Sequence, residues 1–287
     1  MPNWPPTLID RSPPTVYALI RVVLVLLCLF AAPVQAHDMR DLAPGGSATV
    51  KEVLSGDVVV LADGRTVRLA GIQAPKLPLA HAHARKMPLA DESRLALERL
   101  ALGRTVTLYF GSTHQDRHDR FLAQLVRDDG VWLQQAMLSQ GWARVYVLYD
   151  RKLPSADLLA AEAPAREARR GLWAHRAYAP HDPDGLGHDF DSFQVVEGRI
   201  VSATVIRGQL FIDFGPDWKT DFTIRIPRRA MRAFRQSLGD IQALAGRTVR
   251  VRGWVYRRNG PEIEATVPEQ IELLDPPAPT PTAAPTP

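Results

Sequence analysis

The chain has 287 residues, of which 46% are hydrophobic and 23% are charged. This composition is typical of a globular protein and excludes a wholly disordered or fibrous chain. Lysine and arginine total 35 against 31 acidic residues, and the resulting formal charge of +4 permits a polyanionic partner without requiring one. Cys28 is the only cysteine, which excludes a disulfide scaffold, a Cys-x-x-Cys zinc site and an iron–sulfur cluster.

The first 36 residues have the pattern of a signal peptide. Arginines precede an apolar run at 22–32, which is shorter than the roughly 20 residues that a helix needs to span a bilayer. Val34 and Ala36 then form a small-residue cleavage site before His37. The sequence therefore predicts an exported protein, periplasmic or secreted, with no stable membrane insertion after cleavage. An uncleaved membrane anchor is the alternative.

The rest of the chain divides into two blocks and a tail. Residues 48–174 mix strand-like runs with helical stretches, and residues 193–275 carry five strand-like runs and one helical segment. Between them, residues 175–192 contain prolines and acidic residues without sustained periodicity, which is typical of a linker. Residues 276–287 consist of proline, alanine and threonine and are predicted to be disordered.

The first block is predicted to combine a small antiparallel sheet with three helices. Asp63 and Gly64 separate two strand-like runs, and an Asp-Gly pair in this position is a strong signal for a β-hairpin. The first helix is expected to begin in an acidic turn and to end at Gly103. The strands are expected at 48–54, 58–61, 66–72, 105–110, 121–127 and 143–147, and the helices at 90–102, 132–140 and 155–170.

Five short motifs in this block occur in a distinctive order. They are Gly-Asp at 56–57, Val-Arg-Leu-Ala-Gly-Ile-Gln-Ala-Pro-Lys at 67–76, Asp-Arg-His-Asp-Arg-Phe-Leu-Ala at 116–123, Gln-Gly-Trp-Ala-Arg-Val at 140–145 and Arg-Arg-Gly-Leu-Trp at 169–173. In this order and spacing they resemble the staphylococcal nuclease family over residues 48–174. The resemblance implies a mainly β fold with α-helices, an OB-type five-stranded barrel with three helices. It also implies a calcium-dependent site that hydrolyses the phosphodiester bonds of DNA or RNA.

Three matched residues have roles that the resemblance assigns. Asp57 is a metal carboxylate, and Arg68 and Arg120 are catalytic arginines that clamp the phosphate, Arg120 on the leaving-group side. Phosphodiester hydrolysis needs such groups, because a cation and guanidinium donors offset the charge on the phosphoryl oxygens. The alternatives are structural: Asp57 is a turn residue, and Arg68 forms a salt bridge. Asp116 is expected to shape the loop that carries Arg120.

Two other family positions differ in this chain. Gln73 stands where the family has a second metal carboxylate, and Lys76 stands where it has the glutamate taken as general base. Loss of two carboxylates is expected to weaken Ca²⁺ binding sharply, because calcium favours several hard oxygen ligands. A lysine cannot act as a base at neutral pH unless its pKa falls well below about 10.4.

The same substitutions support a second hypothesis for the site. Arg68, Lys76 and Arg120 would form a cationic pocket for a phosphate without a metal, with Lys76 and Gln73 as substrate-binding residues. The sequence thus leaves two functions open: an exported nuclease, and a nuclease-derived protein that binds nucleic acid or another phosphate-bearing partner without cleaving it. In the first case His81 and His83 are candidates for the missing base.

The second block is predicted to be a small OB-like barrel. Trp254 and Tyr256 alternate along one strand and so share a face, and a helix over 228–238 would present Arg228, Arg232 and Arg235 on one side. Aromatic rings and arginines on a small barrel suit single-stranded nucleic acid. The alternative is that the aromatic residues fill the core and the arginines form a solvated face.

Overall fold

A computed structural model describes residues 39–76, 87–146, 152–187 and 189–274. The predicted signal peptide, the tail at 276–287 and the loop histidines His81 and His83 lie outside these residues. Within them, no helix combines the length and apolar character needed to cross a membrane.

The first half of the described chain is a five-stranded barrel with three helices. The strands close in the order β1-β2-β3-β6-β5, and the short strands β4 and β7 pair beside them. This confirms the predicted fold class. The elements are β1 (Ala43–Ser55), β2 (Val58–Leu61), β3 (Thr66–Leu69), β4 (Ile72–Gln73), α1 (Ala90–Ala101), β5 (Thr105–Gln115), β6 (Phe121–Arg127), α2 (Leu133–Ser139), β7 (Arg144–Val145) and α3 (Ser155–Glu167).

The predicted hairpin sets the register that positions the site. Gly64 has a φ of +88°, which suits a glycine in the tight turn between β2 and β3. The antiparallel register places Arg68 opposite Val58, beside the turn that holds Asp57. Strand β3 also runs parallel to β6, with Arg68 opposite Leu122, so the loop before β6 reaches the same end of the barrel.

Side chains along β3 alternate between the barrel core and the opposite face, where the site lies. Val67 and Leu69 are fully buried in the barrel, whereas Arg68 between them points the other way and is partly exposed. Trp132 is also buried, and its Nε1 donates to Gln124 Oε1 at 3.0 Å. Burial of each large apolar side chain stabilises the barrel by about 1.5–3 kcal/mol, so the site stands on a rigid support.

A seven-stranded sheet forms the second half of the described chain. Its order is β14-β12-β13-β11-β10-β9, and β8 pairs with the other edge of the long strand β12. Strands β11 and β13 are parallel, and the remaining pairs are antiparallel. The elements are β8 (Ser192–Arg199), β9 (Ser202–Ile206), β10 (Gln209–Asp213), β11 (Thr223–Ile226), α4 (Met231–Leu238), β12 (Thr248–Arg258), β13 (Gly260–Glu264) and β14 (Ile271–Leu273).

Helix α4 is shorter than predicted. It begins at Met231 because the preceding residues form a turn, in which the Ala230 amide donates to the Pro227 carbonyl. Arg228 therefore lies outside the helix, and the prediction that it shares a helix face with Arg232 and Arg235 is wrong. Those two arginines are exposed on the helix itself.

The segment at 175–192 packs between the barrel and the sheet. Tyr178 is buried and its hydroxyl donates to the Pro88 carbonyl at 2.5 Å, and Leu186 is buried against the second core. The His181 amide donates to the Val195 carbonyl on β8. The described residues accordingly belong to one compact unit. The domain boundaries given above stay a prediction.

Candidate phosphate-binding site

The Gly-Asp turn between β1 and β2 places a carboxylate inside the barrel wall. Gly56 packs so closely against α1 that a Cβ added there would lie 1.9 Å from Ser93 Oγ. A larger residue would therefore displace either the turn or the helix. This close packing fixes Asp57, whose side chain is fully buried.

Both oxygens of the Asp57 carboxylate are engaged. Oδ1 accepts from Ser55 Oγ at 2.8 Å, and Lys76 Nζ lies 2.7 Å from Oδ1 and 2.5 Å from Oδ2. Oδ2 also accepts from the Ala74 amide at 3.4 Å and lies 3.6 Å from Arg68 Nε. Burial alone raises the pKa of Asp57, but Lys76, Arg68 and Ser55 together hold that pKa below its ordinary value of 3.8. Asp57 is therefore an anion at neutral pH.

Lys76 and Arg68 contact this carboxylate, and Arg120 lies close enough for its charge to act on Lys76. Arg68 and Arg120 retain 17% and 26% side-chain exposure, and Lys76 retains 39%, so all three can reach a ligand from solvent. Burial lowers the pKa of Lys76, Asp57 opposes this change, and the charges of Arg68 and Arg120 lower that pKa further. We name Asp57, Arg68, Lys76 and Arg120 the phosphate pocket.

Arg120 is held by the turn that precedes it. Its Nε and Nη2 donate to Asp116 Oδ2 at 2.8 and 2.6 Å, and Asp116 Oδ1 accepts from the amides of His118 and Arg120. Asp119, with a φ of +59°, completes the tight turn. The sequence prediction that Asp116 shapes this loop agrees with these contacts. One carboxylate thus fixes both the backbone and the guanidinium of Arg120.

Tyr146 is a neighbour of the pocket that the sequence did not indicate. Its ring centroid lies 5.4 Å from the Arg68 guanidinium carbon, within range of a cation–π contact. Its hydroxyl accepts from Trp254 Nε1 on β12 at 2.9 Å. The only sequence signal was its position directly after the motif at 140–145, and a single tyrosine there carries no specific information. The second sheet therefore contacts the residue that supports Arg68.

The sequence-predicted residues are only partly brought together. Asp57, Arg68, Lys76 and Arg120 form one cluster. Gln73 is half-buried on β4, where its backbone pairs with Arg144. Its role in substrate binding stays a prediction.

The described residues of the pocket do not fit a calcium ion. Calcium takes 6–8 oxygen ligands, with carboxylates prominent among them. Among the residues that the structure describes, no group of three or more histidine, cysteine, aspartate or glutamate side chains could hold a metal. The one buried carboxylate of the pocket, Asp57, already binds the Lys76 ammonium with both oxygens. An ammonium group thus occupies the place on Asp57 that a metal would need.

Comparison with known proteins identifies the family. A model of staphylococcal nuclease homologues matches residues 66–175. An uncharacterized endonuclease of Escherichia coli O157:H7 is 31% identical over 158 residues, which is 54% of this chain and 90% of that relative. The chain belongs to the staphylococcal nuclease family. Within that family, the probable staphylococcal-like nuclease CAN2 of Oryza sativa subsp. japonica is 33% identical over 153 residues, 51% of this chain and 38% of the relative.

The chain thus spans well under half the length of that plant relative. The staphylococcal-like nuclease CAN1 of Arabidopsis thaliana is 32% identical over 115 residues, which is 40% of this chain and 31% of the relative. The staphylococcal nuclease model covers Arg68, Lys76 and Arg120 but ends before β8. The matched residues therefore hold most of the barrel and three of the four pocket residues, whereas Asp57, the strands β1 and β2 and the seven-stranded sheet lie outside them.

Proposed function

We propose that this nuclease-like protein binds the phosphate backbone of nucleic acid in a pocket that works without a metal. The observation that carries the proposal is the bidentate contact of Lys76 Nζ with the fully buried Asp57 carboxylate, at 2.7 and 2.5 Å. The buried carboxylate holds the Lys76 ammonium group in a fixed position and its charge is balanced by that group. Calcium would have to displace the ammonium group to bind.

The chemistry of the pocket suits a phosphodiester. Arg68 and Arg120 offer planar guanidinium donors, which recognise phosphate oxygens through paired hydrogen bonds, and Lys76 adds a compact point charge. Asp57 and Asp116 lie behind these groups and orient them. With three cations against two carboxylates, the pocket keeps an excess of positive charge for an anionic ligand.

Hydrolysis of DNA or RNA by an exported nuclease is the second candidate function. It is favoured by the presence of both clamping arginines and by relatives that are named as nucleases and an endonuclease. It requires a base other than the family's glutamate, because Lys76 stands in that position. His81 and His83, which lie outside the described residues, are the sequence candidates for that role.

One experiment on the purified protein separates these two functions. Fluorescent single-stranded and duplex DNA and RNA are incubated with calcium, with other divalent ions and with chelator, and both binding and cleavage are measured. We expect the protein to bind nucleic acid equally well with metal ions and with chelator, and to cleave it in none of these conditions. Ion-dependent cleavage that is lost in the Arg68→Ala variant would instead establish the nuclease. Arg65→Ala removes an arginine that pairs with Asp63 in the β2–β3 turn and serves as the control.

We also propose that the protein is exported, on the evidence of its N-terminal sequence. Expression of the full chain in a bacterial host, followed by fractionation and N-terminal sequencing, tests this. A mature protein outside the cytoplasm that begins at His37 is the expected result. Retention in the cytoplasm with Met1 intact would contradict it.

A further inference from the structure

A cleft of about 370 Å³ opens on the second sheet, next to the residue that supports Arg68. Trp254 and Tyr256 line it from one face of β12, and Tyr256 is 43% exposed. The indole nitrogen of Trp254 donates to the Tyr146 hydroxyl, and the Tyr146 ring contacts the Arg68 guanidinium. A single tyrosine therefore links this cleft to the phosphate pocket.

Arginines also line the cleft, and their planar guanidinium groups offer flat surfaces to a ligand. The guanidinium carbon of Arg257 lies 3.9 Å from the Phe190 ring centroid, which stacks it on that ring. Arg225 is fixed by Glu262 at 2.9 Å and by Glu264. We name Trp254, Tyr256 and Arg257 the β12 groove.

The charges that line the cleft cancel. Three arginines face three carboxylates, so the cleft lacks the excess of positive charge that the phosphate pocket has. The lining charges are those of Arg225, Arg257, Arg258, Asp191, Glu262 and Glu264. The cleft therefore offers aromatic and guanidinium faces to a ligand more than it offers electrostatic attraction.

We propose that the β12 groove stacks a base of single-stranded nucleic acid whose phosphate lies in the phosphate pocket. This inference rests on the proposed function and names its substrate class. Aromatic faces beside cationic groups are the arrangement with which proteins bind single strands, since each base presents a ring face for stacking. In a duplex the bases are already stacked on their neighbours, so a double helix cannot use the groove in this way.

The two contact types predict different responses to salt. Phosphate contacts release counterions, so their loss reduces the slope of affinity against salt concentration. Stacking contacts release none. Loss of a stacking residue should lower affinity and leave the slope unchanged, whereas loss of Arg68 should lower both.

The test measures binding of a 12-nucleotide single-stranded DNA, of an abasic 12-mer with the same backbone, and of a 12-base-pair duplex. Each is titrated by fluorescence anisotropy in chelator at several salt concentrations. Tyr256→Ala is expected to weaken binding of the base-bearing strand about fivefold, with unchanged binding of the abasic strand and the duplex. Tyr256→Phe keeps the ring and is expected to retain native affinity.

Trp218→Ala is the matched control, because Trp218 is an aromatic residue with 59% exposure in the β10–β11 connection. It should leave all three affinities unchanged. The inference would be overturned if Arg68→Ala weakens binding of the base-bearing strand but Tyr256→Ala binds that strand as tightly as the native protein does. If Arg68→Ala leaves binding of both single strands unchanged, the proposed function itself fails, and the inference fails with it.

Discussion

The phosphate pocket and a second cluster of arginines and carboxylates among the described residues differ in exposure and in charge balance. The phosphate pocket has half-buried cations around Asp57. The second cluster, here named the junction cluster, joins the barrel to the second sheet. In it Arg252 Nη1 lies 3.0 and 3.1 Å from the two oxygens of Glu162, and its Nη2 lies 2.5 Å from Glu272 Oε1. Arg166 Nη1 donates to Glu162 Oε1 at 2.7 Å.

The junction cluster is paired and largely closed to solvent. Arg252 and Glu162 are fully buried, and the Val145 amide completes the hydrogen bonding of Glu162 Oε2. Burial lowers the pKa of Arg252, but Glu162 and Glu272 outweigh it, and the net effect is a raised pKa. The ion pairs of this cluster join three guanidinium groups to three carboxylates, so their charges cancel. The groups are Arg166, Arg250 and Arg252 with Glu162, Glu197 and Glu272.

Residue type alone therefore does not identify a functional site. Arginine and glutamate at the junction hold two parts of the fold together, whereas arginine and lysine at the pocket keep both solvent access and uncompensated charge. Exposure and charge excess separate the two roles. Variants of the two clusters should therefore affect different measurements.

The largest effect is expected at the junction cluster. Arg252→Met removes the fully buried guanidinium that contacts both Glu162 and Glu272 and leaves these carboxylates to Arg166 and Arg250. This change should lower the free energy of unfolding by about 3 kcal/mol. Urea denaturation monitored by circular dichroism measures it. Arg94→Met, which removes the surface pair of Arg94 with Glu98 on α1, should cost at most about 0.5 kcal/mol. Equal losses in the two variants would contradict the distinction between a buried junction and a surface pair.

A smaller effect is expected when carboxylates are returned to the phosphate pocket. The double variant Gln73→Asp with Lys76→Glu frees Asp57 from its ammonium partner and adds two oxygen-ligand groups near it. Calcium should then stabilise the protein, by about 2.7 kcal/mol at a concentration 100 times its dissociation constant. Thermal unfolding with calcium and with chelator measures this.

The native protein and the Lys51→Glu variant should not respond to calcium in that experiment. Lys51 is an exposed residue on β1, and its substitution changes one charge away from the pocket. A calcium response in the native protein equal to that of the double variant would contradict the role assigned to Lys76.

Release of Arg120 from its turn should have a modest effect on binding. Asp116→Asn weakens the contacts that hold the guanidinium at 2.6 and 2.8 Å, so affinity for single-stranded DNA should fall about threefold to tenfold, which corresponds to one ordinary hydrogen bond. Fluorescence anisotropy in chelator measures it. Asp129→Asn alters the comparable pair with Arg127 at the other end of β6 and should leave affinity unchanged. A matching loss in both variants would indicate an effect on β6 rather than on Arg120.

The smallest effect is expected from pH. Because the folded-state pKa of Asp57 lies below 3.8, its ionised form stabilises the fold above that value, and this contribution is lost as pH falls through the folded-state pKa. Asp57→Asn should show a smaller drop in the free energy of unfolding between pH 5 and pH 3 than the native protein does. Urea denaturation at the two pH values measures the free energy of unfolding. Equal drops in the two proteins would contradict a stabilising role for the ionised Asp57.

Local patterns allowed much of the barrel to be predicted. The Asp63-Gly64 hairpin and the helix that ends before Gly103 are encoded by neighbouring residues, and the family resemblance indicated the pocket arginines. The pairing of Arg252 with Glu162 spans 90 residues, and that of Trp254 with Tyr146 spans 108. No periodicity or motif connects positions so far apart. Only the packing of the second sheet on the barrel brings them together.

The proposed function requires that Lys76 replaces a metal on Asp57. The affinity of the native protein for single-stranded DNA, measured once in excess chelator and once in calcium, tests this replacement. We expect the same affinity in both conditions and a loss of about tenfold in a folded Lys76→Met variant, since a charged contact to phosphate is removed. DNA binding that appears only when calcium is present would contradict it.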